Sequence, residues 1–362
     1  MKKLKLTKLL AGTLVIASVL TLNPIAANAE WKQDNKGWWY AEGNSWAKGW
    51  REIDRYSYYF KSNGYMLSNP NEMYFDKEYG MNSSGQFTNV TINGDWAFCK
   101  QTGKIVAYLG SQSIINIPTQ IDNITVTGIG AYAFSSSKIT SVTIPSTVTI
   151  IGVKAFSGCS NLTNLTIPNS VKTIATYAFD GCRSLTNITI PSSVNKFGNG
   201  IFRGCLNLTN VTVENGITFL GNATFSGCIK LTNITLPNTL NSIGESTFEG
   251  CISLKNIVIP SGVTDISNTA FYYCISLTNL TLPDGVTHIG MGAFKDCTSL
   301  TSITIPSSVQ NIETHKNGPF NKVIETNLFE GCGNVTVYVK SETTKQLLVN
   351  SGVSANKIIV TA

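Results

Sequence analysis

The chain has 362 residues, of which 42% are hydrophobic and only 13% charged. A charged share so far below the roughly 25% of ordinary soluble domains leaves Asn, Thr and Ser to cover the surface. There are 27 basic and 21 acidic side chains, and four of the basic ones (Lys2, Lys3, Lys5 and Lys8) stand at the very start; the rest of the chain is near neutral and lacks any Lys/Arg cluster, which excludes nucleic acid as a partner.

Residues 1–29 read as a secretory signal. The four lysines precede an apolar run from Leu9 to Leu22, and Ala27-Asn28-Ala29 offers the small residues of a cleavage site, so that Glu30 would begin the mature chain. No later apolar stretch is long enough for a membrane span.

Residues 30–82 have another composition. Five of the six tryptophans lie here, at Trp31, Trp38, Trp39, Trp46 and Trp50, together with Tyr40, Tyr56, Tyr58, Tyr59 and Tyr65. A step of 19 aligns Trp31, Trp39 and Tyr40 with Trp50, Tyr58 and Tyr59, and a worn third copy is expected over Tyr74 to Met81. Each copy reads as a β-hairpin around a polar turn such as Asn35-Lys36-Gly37. Hairpins this small are too weak to fold alone and are expected to stack through their rings. From the residues alone, the rings serve either as a ligand cage or as hairpin core. Residues 83–115 read as a linker and an N-terminal cap, with a hairpin from Trp96 to Tyr108 turning near Thr102-Gly103.

A step of 23 residues then organises 116–333. Cys159, Cys182, Cys205, Cys228, Cys251, Cys274 and Cys297 keep that spacing, as do the phenylalanines from Phe156 to Phe294 and the leucines from Leu162 to Leu300. In each unit a stretch such as Leu185 to Ile190 alternates inward Ile188 and Ile190 with outward Asn187 and Thr189, the period of a strand, and Pro191 ends it. Glu214 replaces that proline in one unit. A single unit cannot bury its apolar face, whereas stacked units line up like residues into continuous columns. The expected fold is therefore a mainly-β solenoid, preceded by a small stacked hairpin module. An insertion near Glu313 to Ile324 is expected as a surface loop. Residues 334–362 read as a C-terminal cap: a strand near Val335 to Val339, a helix from Ser341 to Asn350, and a closing strand from Lys357 to Val360.

The motif Leu-x-x-Ile-x-Ile-Pro-x-x-Val-x-x-Ile-x-x-x-Ala-Phe-x-Gly-Cys, clearest from Leu162 to Cys182, resembles the BspA-like leucine-rich repeat family. That resemblance implies a parallel-stranded solenoid, surface adhesion or protein-binding scaffolds, and no enzymatic activity. The aromatic copies, with Gly49-Trp50, Tyr58-Tyr59-Phe60 and Gly64-Tyr65-Met66, resemble choline-binding and cell-wall-binding repeats of Gram-positive surface proteins. That second resemblance implies that Trp31, Trp39, Trp50 and Tyr58 contact choline on wall teichoic acid, or a wall glycan; ring faces attract a quaternary ammonium through cation–π forces.

The outward positions of the concave strand face form the candidate partner site. One column holds Asn164, Asn187, Asn210, Asn233, Asn256 and Asn279; beside it run Thr189, Thr212 and Thr235. These residues read either as ladders that satisfy one another or as a neutral platform for a protein or glycan. The column cysteines are expected as buried thiols, since parallel, inward Cβ vectors disfavour pairing. No Cys-x-x-Cys occurs, neither His288 nor His315 has a nucleophile and acid beside it in the repeat frame, and no phosphate loop follows a strand. No catalytic residue, metal or cofactor is expected. The reading is a secreted, wall-associated adhesin or scaffold; its rivals are a wall-remodelling accessory or enzyme and a structural surface-layer component.

Overall fold

The computed structural model describes residues 29–69, 79–317, 323–325 and 327–361. Most of the segment expected as a signal and most of the expected third aromatic copy lie outside the described residues. The described residues form two compact units, one holding 29–51 and 59–67, the other the remainder.

In the first unit, Glu30–Asp34, Gly37–Glu42 and Ser45–Trp46 form an antiparallel sheet with Trp31 opposite Tyr40 and Lys32 opposite Trp39. The Asp34 carboxylate accepts the backbone N–H of Lys36 at 2.8 Å and closes the expected turn. A second hairpin pairs Gly49–Ile53 with Tyr56–Phe60; its residues 52–58 count with the second unit. Its two linking residues, Asp54 and Arg55, both have positive φ (52° and 68°), as the tight turn that matches strand twist requires.

The second unit is a β-solenoid, and most coils carry two short strands. The expected strand is there: Asn187–Ile190 alternates exposed and buried residues and pairs in parallel with Asn210–Val213, each residue facing its counterpart 23 positions on. A second ladder, which the 23-residue motif does not announce, runs through two-residue strands such as Thr173–Ile174, Ser242–Ile243 and His288–Ile289. Its signal is the apolar residue shortly after each proline: Ile174, Ile243 and Ile289 are fully buried.

The interior is a set of columns. Phe134 to Phe329 stack ring on ring, with centroids 4.9–5.9 Å apart and planes within 17° of parallel. All nine cysteines are buried, and the eight from Cys159 to Cys332 are free thiols. Within the column each thiol donates to the carbonyl of a phenylalanine in the preceding coil, as Cys228 does to Phe202 at 3.2 Å.

Both ends are closed. Upstream, Val90–Asn93, Trp96–Cys99 and Lys104–Tyr108 form a meander whose last strand pairs in parallel with Gly128–Ile129. The Tyr108 ring stacks on Phe134 at 5.7 Å and so continues the phenylalanine column into the cap. Downstream, Thr336–Val339 and Ile358–Val360 extend the strand face. Between them lies the helix Glu342–Asn350, capped by Ser341, whose hydroxyl accepts from Thr344 N–H; Gly352 comes just after it at φ 86°. The insertion is more ordered at its base than a plain loop: His315–Asn317 pairs antiparallel with Val323–Glu325.

The strand face differs from expectation in one respect. It is not one continuous sheet but three: the strands from 114 to 166, those from 187 to 235, and those from 279 to 360. The coil of Lys255–Pro260 contributes no strand, and its Val258, in the column of outward threonines, is 84% exposed.

Candidate functional site: an Asn/Thr face and an aromatic unit

The outward columns are where the sequence placed them. Asn164, Asn187, Asn210, Asn233, Asn256 and Asn279 are all exposed, as are Thr189, Thr212 and Thr235. Asn210 Nδ2 donates to Asn187 Oδ1 at 2.7 Å, and Asn233 Nδ2 donates to Asn210 Oδ1 at 2.9 Å. The amides also lean on the preceding threonines, Asn210 on Thr209 Oγ1 at 3.0 Å. Those threonines in turn bond the coil before, as Thr209 does to the Thr186 carbonyl. Within this central sheet the asparagines thus form a ladder that satisfies itself. The ladder stops where the sheet stops: at the far end Asn279 Oδ1 accepts from Ser302 Oγ at 2.6 Å instead.

Where the first sheet gives way to the central one, a surface groove of about 420 Å³ opens. Leu165, Ile188, Thr166, Thr189, Thr212 and Glu214 are among its lining residues. Glu214 accepts the backbone N–H of Ser192 at 2.9 Å. The odd residue of the proline column therefore bridges two coils rather than hanging free. Charge over 134–333 balances at 11 basic against 10 acidic residues, so long-range steering toward this face is weak.

The aromatic residues are distributed unevenly between core and surface. Trp50 and Tyr58 are buried at 4% and 8% exposure; Trp50 packs edge-on against Tyr59, and the Tyr58 hydroxyl accepts from Gln86 Nε2 at 2.9 Å. Two of the four expected cage rings are therefore used as packing, because an aromatic strand in a small hairpin must bury one of its faces. Trp31 and Trp39 keep part of their surface. Trp31 packs edge-on against Trp38 and Tyr40. Trp39 stacks on Tyr65 at 6.0 Å with planes 12° apart, and its indole N–H is buried with no hydrogen-bond partner among the described residues. The Tyr65 hydroxyl donates to Asp34 Oδ2 at 2.7 Å, which holds the Asp34 carboxyl below its usual range and pushes the phenol up. Trp46, outside the expected set, is 44% exposed and covers Gly64, where a Cβ would collide with the indole.

The sequence model of the BspA type leucine rich repeat region matches six copies over residues 127–232 and 218–345, more than half of the chain. This chain belongs to that family. The BspA-type repeat accounts for the buried Phe, Cys and Leu columns and the outward Asn and Thr; the aromatic hairpins fall outside the matched residues. Among solved structures, a leucine-rich repeat protein from Bacteroides ovatus is 27% identical, covering 69% of this chain and 70% of its own, with a TM-score of 0.46. A leucine rich cell surface protein from Faecalibacterium prausnitzii is 22% identical over 72% of this chain and 97% of its own, with a TM-score of 0.39. The pneumococcal vaccine antigen PcpA is 20% identical over 87% of this chain and 100% of its own, with a TM-score of 0.44. No curated protein matches.

Among the described residues no three His, Cys, Asp or Glu side chains gather as a metal site, and no helix is long and apolar enough to cross a membrane. His288 lies between Asp265 and Glu313, with Nε2 at 3.9 and 3.6 Å from their oxygens. These three come from three successive coils, and both carboxylates face the same imidazole nitrogen.

Proposed function

We propose that this protein is a secreted, cell-wall-associated binding protein whose BspA-type solenoid presents its Asn/Thr face to a protein or glycan partner, as an adhesin or scaffold. The observation that carries this reading is the outward face itself: exposed, uncharged Asn and Thr columns over a buried apolar core. Such a face suits recognition through shape and hydrogen bonds rather than through charge. The N-terminal aromatic unit is the part that holds the wall, through teichoic-acid choline or a wall glycan. Trp31 and Trp39 supply the rings that remain accessible, and Trp46 adds a third; Trp50 and Tyr58 are buried. The basic and apolar start of the chain supports export.

Sedimentation with purified Gram-positive cell walls tests the reading. The mature chain should pellet with walls and release no soluble fragments, and free choline should elute it if choline is the ligand. A chain that stays in the supernatant removes the wall assignment; soluble fragments would make the protein an enzyme.

A further inference from the structure

Tyr273 stands where Gly158, Gly181, Gly204, Gly227, Gly250 and Gly331 stand in other coils, one residue before the column cysteine. The slot is left-handed: the glycines have φ between 68° and 80°, and Tyr273 has φ 60°. There the Cβ of any L residue crowds the following carbonyl, and a bulky residue in such a slot is an outlier. Strain of this kind persists where the surrounding structure holds it, and it collects at ligand-binding sites. Packing does not account for the ring, which is 48% exposed.

Its surroundings keep the ring open. Tyr272 lies beside it, ring centroids 6.0 Å apart and planes tilted by 52°. Gly250, the neighbour in the preceding coil, has no side chain, and a Cβ built there would meet only Gly227. Asp296, the neighbour in the next coil, leans away over Gly331. Lys295 is engaged by Glu330 at 2.9 Å. The other outward tyrosines differ. Lys154 sits over Tyr132 and Tyr177 at 5.5 and 5.6 Å, and Arg203 over Tyr177 at 4.8 Å. Among the described residues no cation is found over Tyr273, and Lys295, whose charge reaches Tyr272, is held by Glu330.

We propose that Tyr272 and Tyr273 form a stacking platform for a neutral pyranose ring of a glycan, separate from the Asn/Thr face. A pyranose has a C–H face that packs flat on an aromatic ring and a rim of hydroxyls that phenols can bond. A peptide would need an apolar recess for its side chains, and the flanking Glu249, Lys295 and Asp296 supply none.

The test labels the mature chain with 3-fluorotyrosine and tracks each fluorine resonance while chitotetraose, cellotetraose or mannotetraose is added at millimolar concentration. Tyr272→Phe and Tyr273→Gly assign the two signals. Because glycine is the residue of the other coils, Tyr273→Gly should fold and melt about 2–4 °C higher. At least one saccharide should shift both resonances in the parent chain, and the Tyr272 shift should vanish in Tyr273→Gly. Tyrosines of the aromatic unit report any wall-type binding separately, so failure there is distinguishable from failure here. The platform is overturned if no saccharide moves either signal, if an acetylated tripeptide moves them and the saccharides do not, if Tyr273→Gly binds unchanged, or if it melts lower than the parent.

Discussion

The phenylalanine column and the turn column beside it are laid down by the same 23-residue step, yet they treat departures differently. From Phe134 to Phe329 every coil keeps the ring, and each ring is at most 5% exposed. In the turn column glycine gives way to Ser136, Tyr273 and Asp296, all at positive φ. The magnitudes explain the contrast. Removing a buried ring leaves a cavity worth about 3–5 kcal/mol, whereas a non-glycine residue in the left-handed region costs roughly 1–2 kcal/mol. A solenoid can absorb the second kind of change in one coil but not the first.

The sharpest way to probe the interior side of this comparison is alkali. Burial pushes the thiols of Cys159, Cys228 and Cys274 up to about 12, and raises those of Cys182, Cys205 and Cys251 as well. In the unfolded chain the same thiols ionise near about 8.5. The folded state holds their protons more tightly, so this stabilisation is complete below about pH 8 and is lost as pH climbs toward 12, at about 1.4 kcal/mol per pH unit for each thiol. Urea midpoints should therefore fall steeply above about pH 9. A midpoint that holds steady from about pH 8 to 10 would show that the thiols are not sealed in. Next in size is Phe225→Ala. Phe225 is fully buried between Phe202 at 5.8 Å and Phe248 at 5.7 Å, and the variant should lose about 3–5 kcal/mol in denaturant unfolding. An unchanged midpoint would mean that the coils do not share one core.

Legibility in the sequence divides along the same line. Residues that recur at one spacing declare their column, so Phe, Cys, Leu and the Asn/Thr face could be placed by counting. The Ser341 cap and the Trp96 to Tyr108 hairpin were legible from local chemistry. Three features were not. The second ladder is only two residues long per coil, too short for alternation to register. Tyr108 extends the ring stack, but it stands in the cap, outside the repeat frame. The division of the strand face depends on inter-coil distances, which a strict period conceals. In the aromatic unit the rings were legible and their burial was not: Trp50 and Trp46 look alike in sequence, yet one is 4% and the other 44% exposed. Which face of a two-stranded hairpin is covered is decided by what packs on it, and the 19-residue step carries no such information.

The turn side of the comparison predicts a gain. Thr269 has φ 52° in a second left-handed column, where Gly200 and Gly292 occupy the equivalent slots. A β-branched residue is the least suited to that region. Its hydroxyl lies 2.8 Å from Ser246 Oγ, an exchange that water can partly replace. Thr269→Gly should therefore stabilise the protein by about 1 kcal/mol net, read as a higher urea midpoint. A loss would mean that inter-coil hydroxyl pairs outweigh backbone strain, and the tolerance of the turn columns would need another cause.

The smallest effect belongs to the Asn face, and it separates ladder from platform. Asn210→Ala removes the donor to Asn187 and the acceptor for Asn233, both on the exposed surface. Water takes over such bonds, so the loss should be about 0.2–1 kcal/mol, in the range of cross-strand pairs. If the column serves only to hold neighbouring strands in register, partner binding should change no more than stability does. If the face is read by a partner, one amide missing at the centre of the central sheet should weaken binding by about tenfold or more, since an interface group left without its bond costs more than an exposed one. Measuring both quantities on this one variant tells whether the outward columns resemble the interior, where regularity is structural, or the turns, where departures are free to acquire a use.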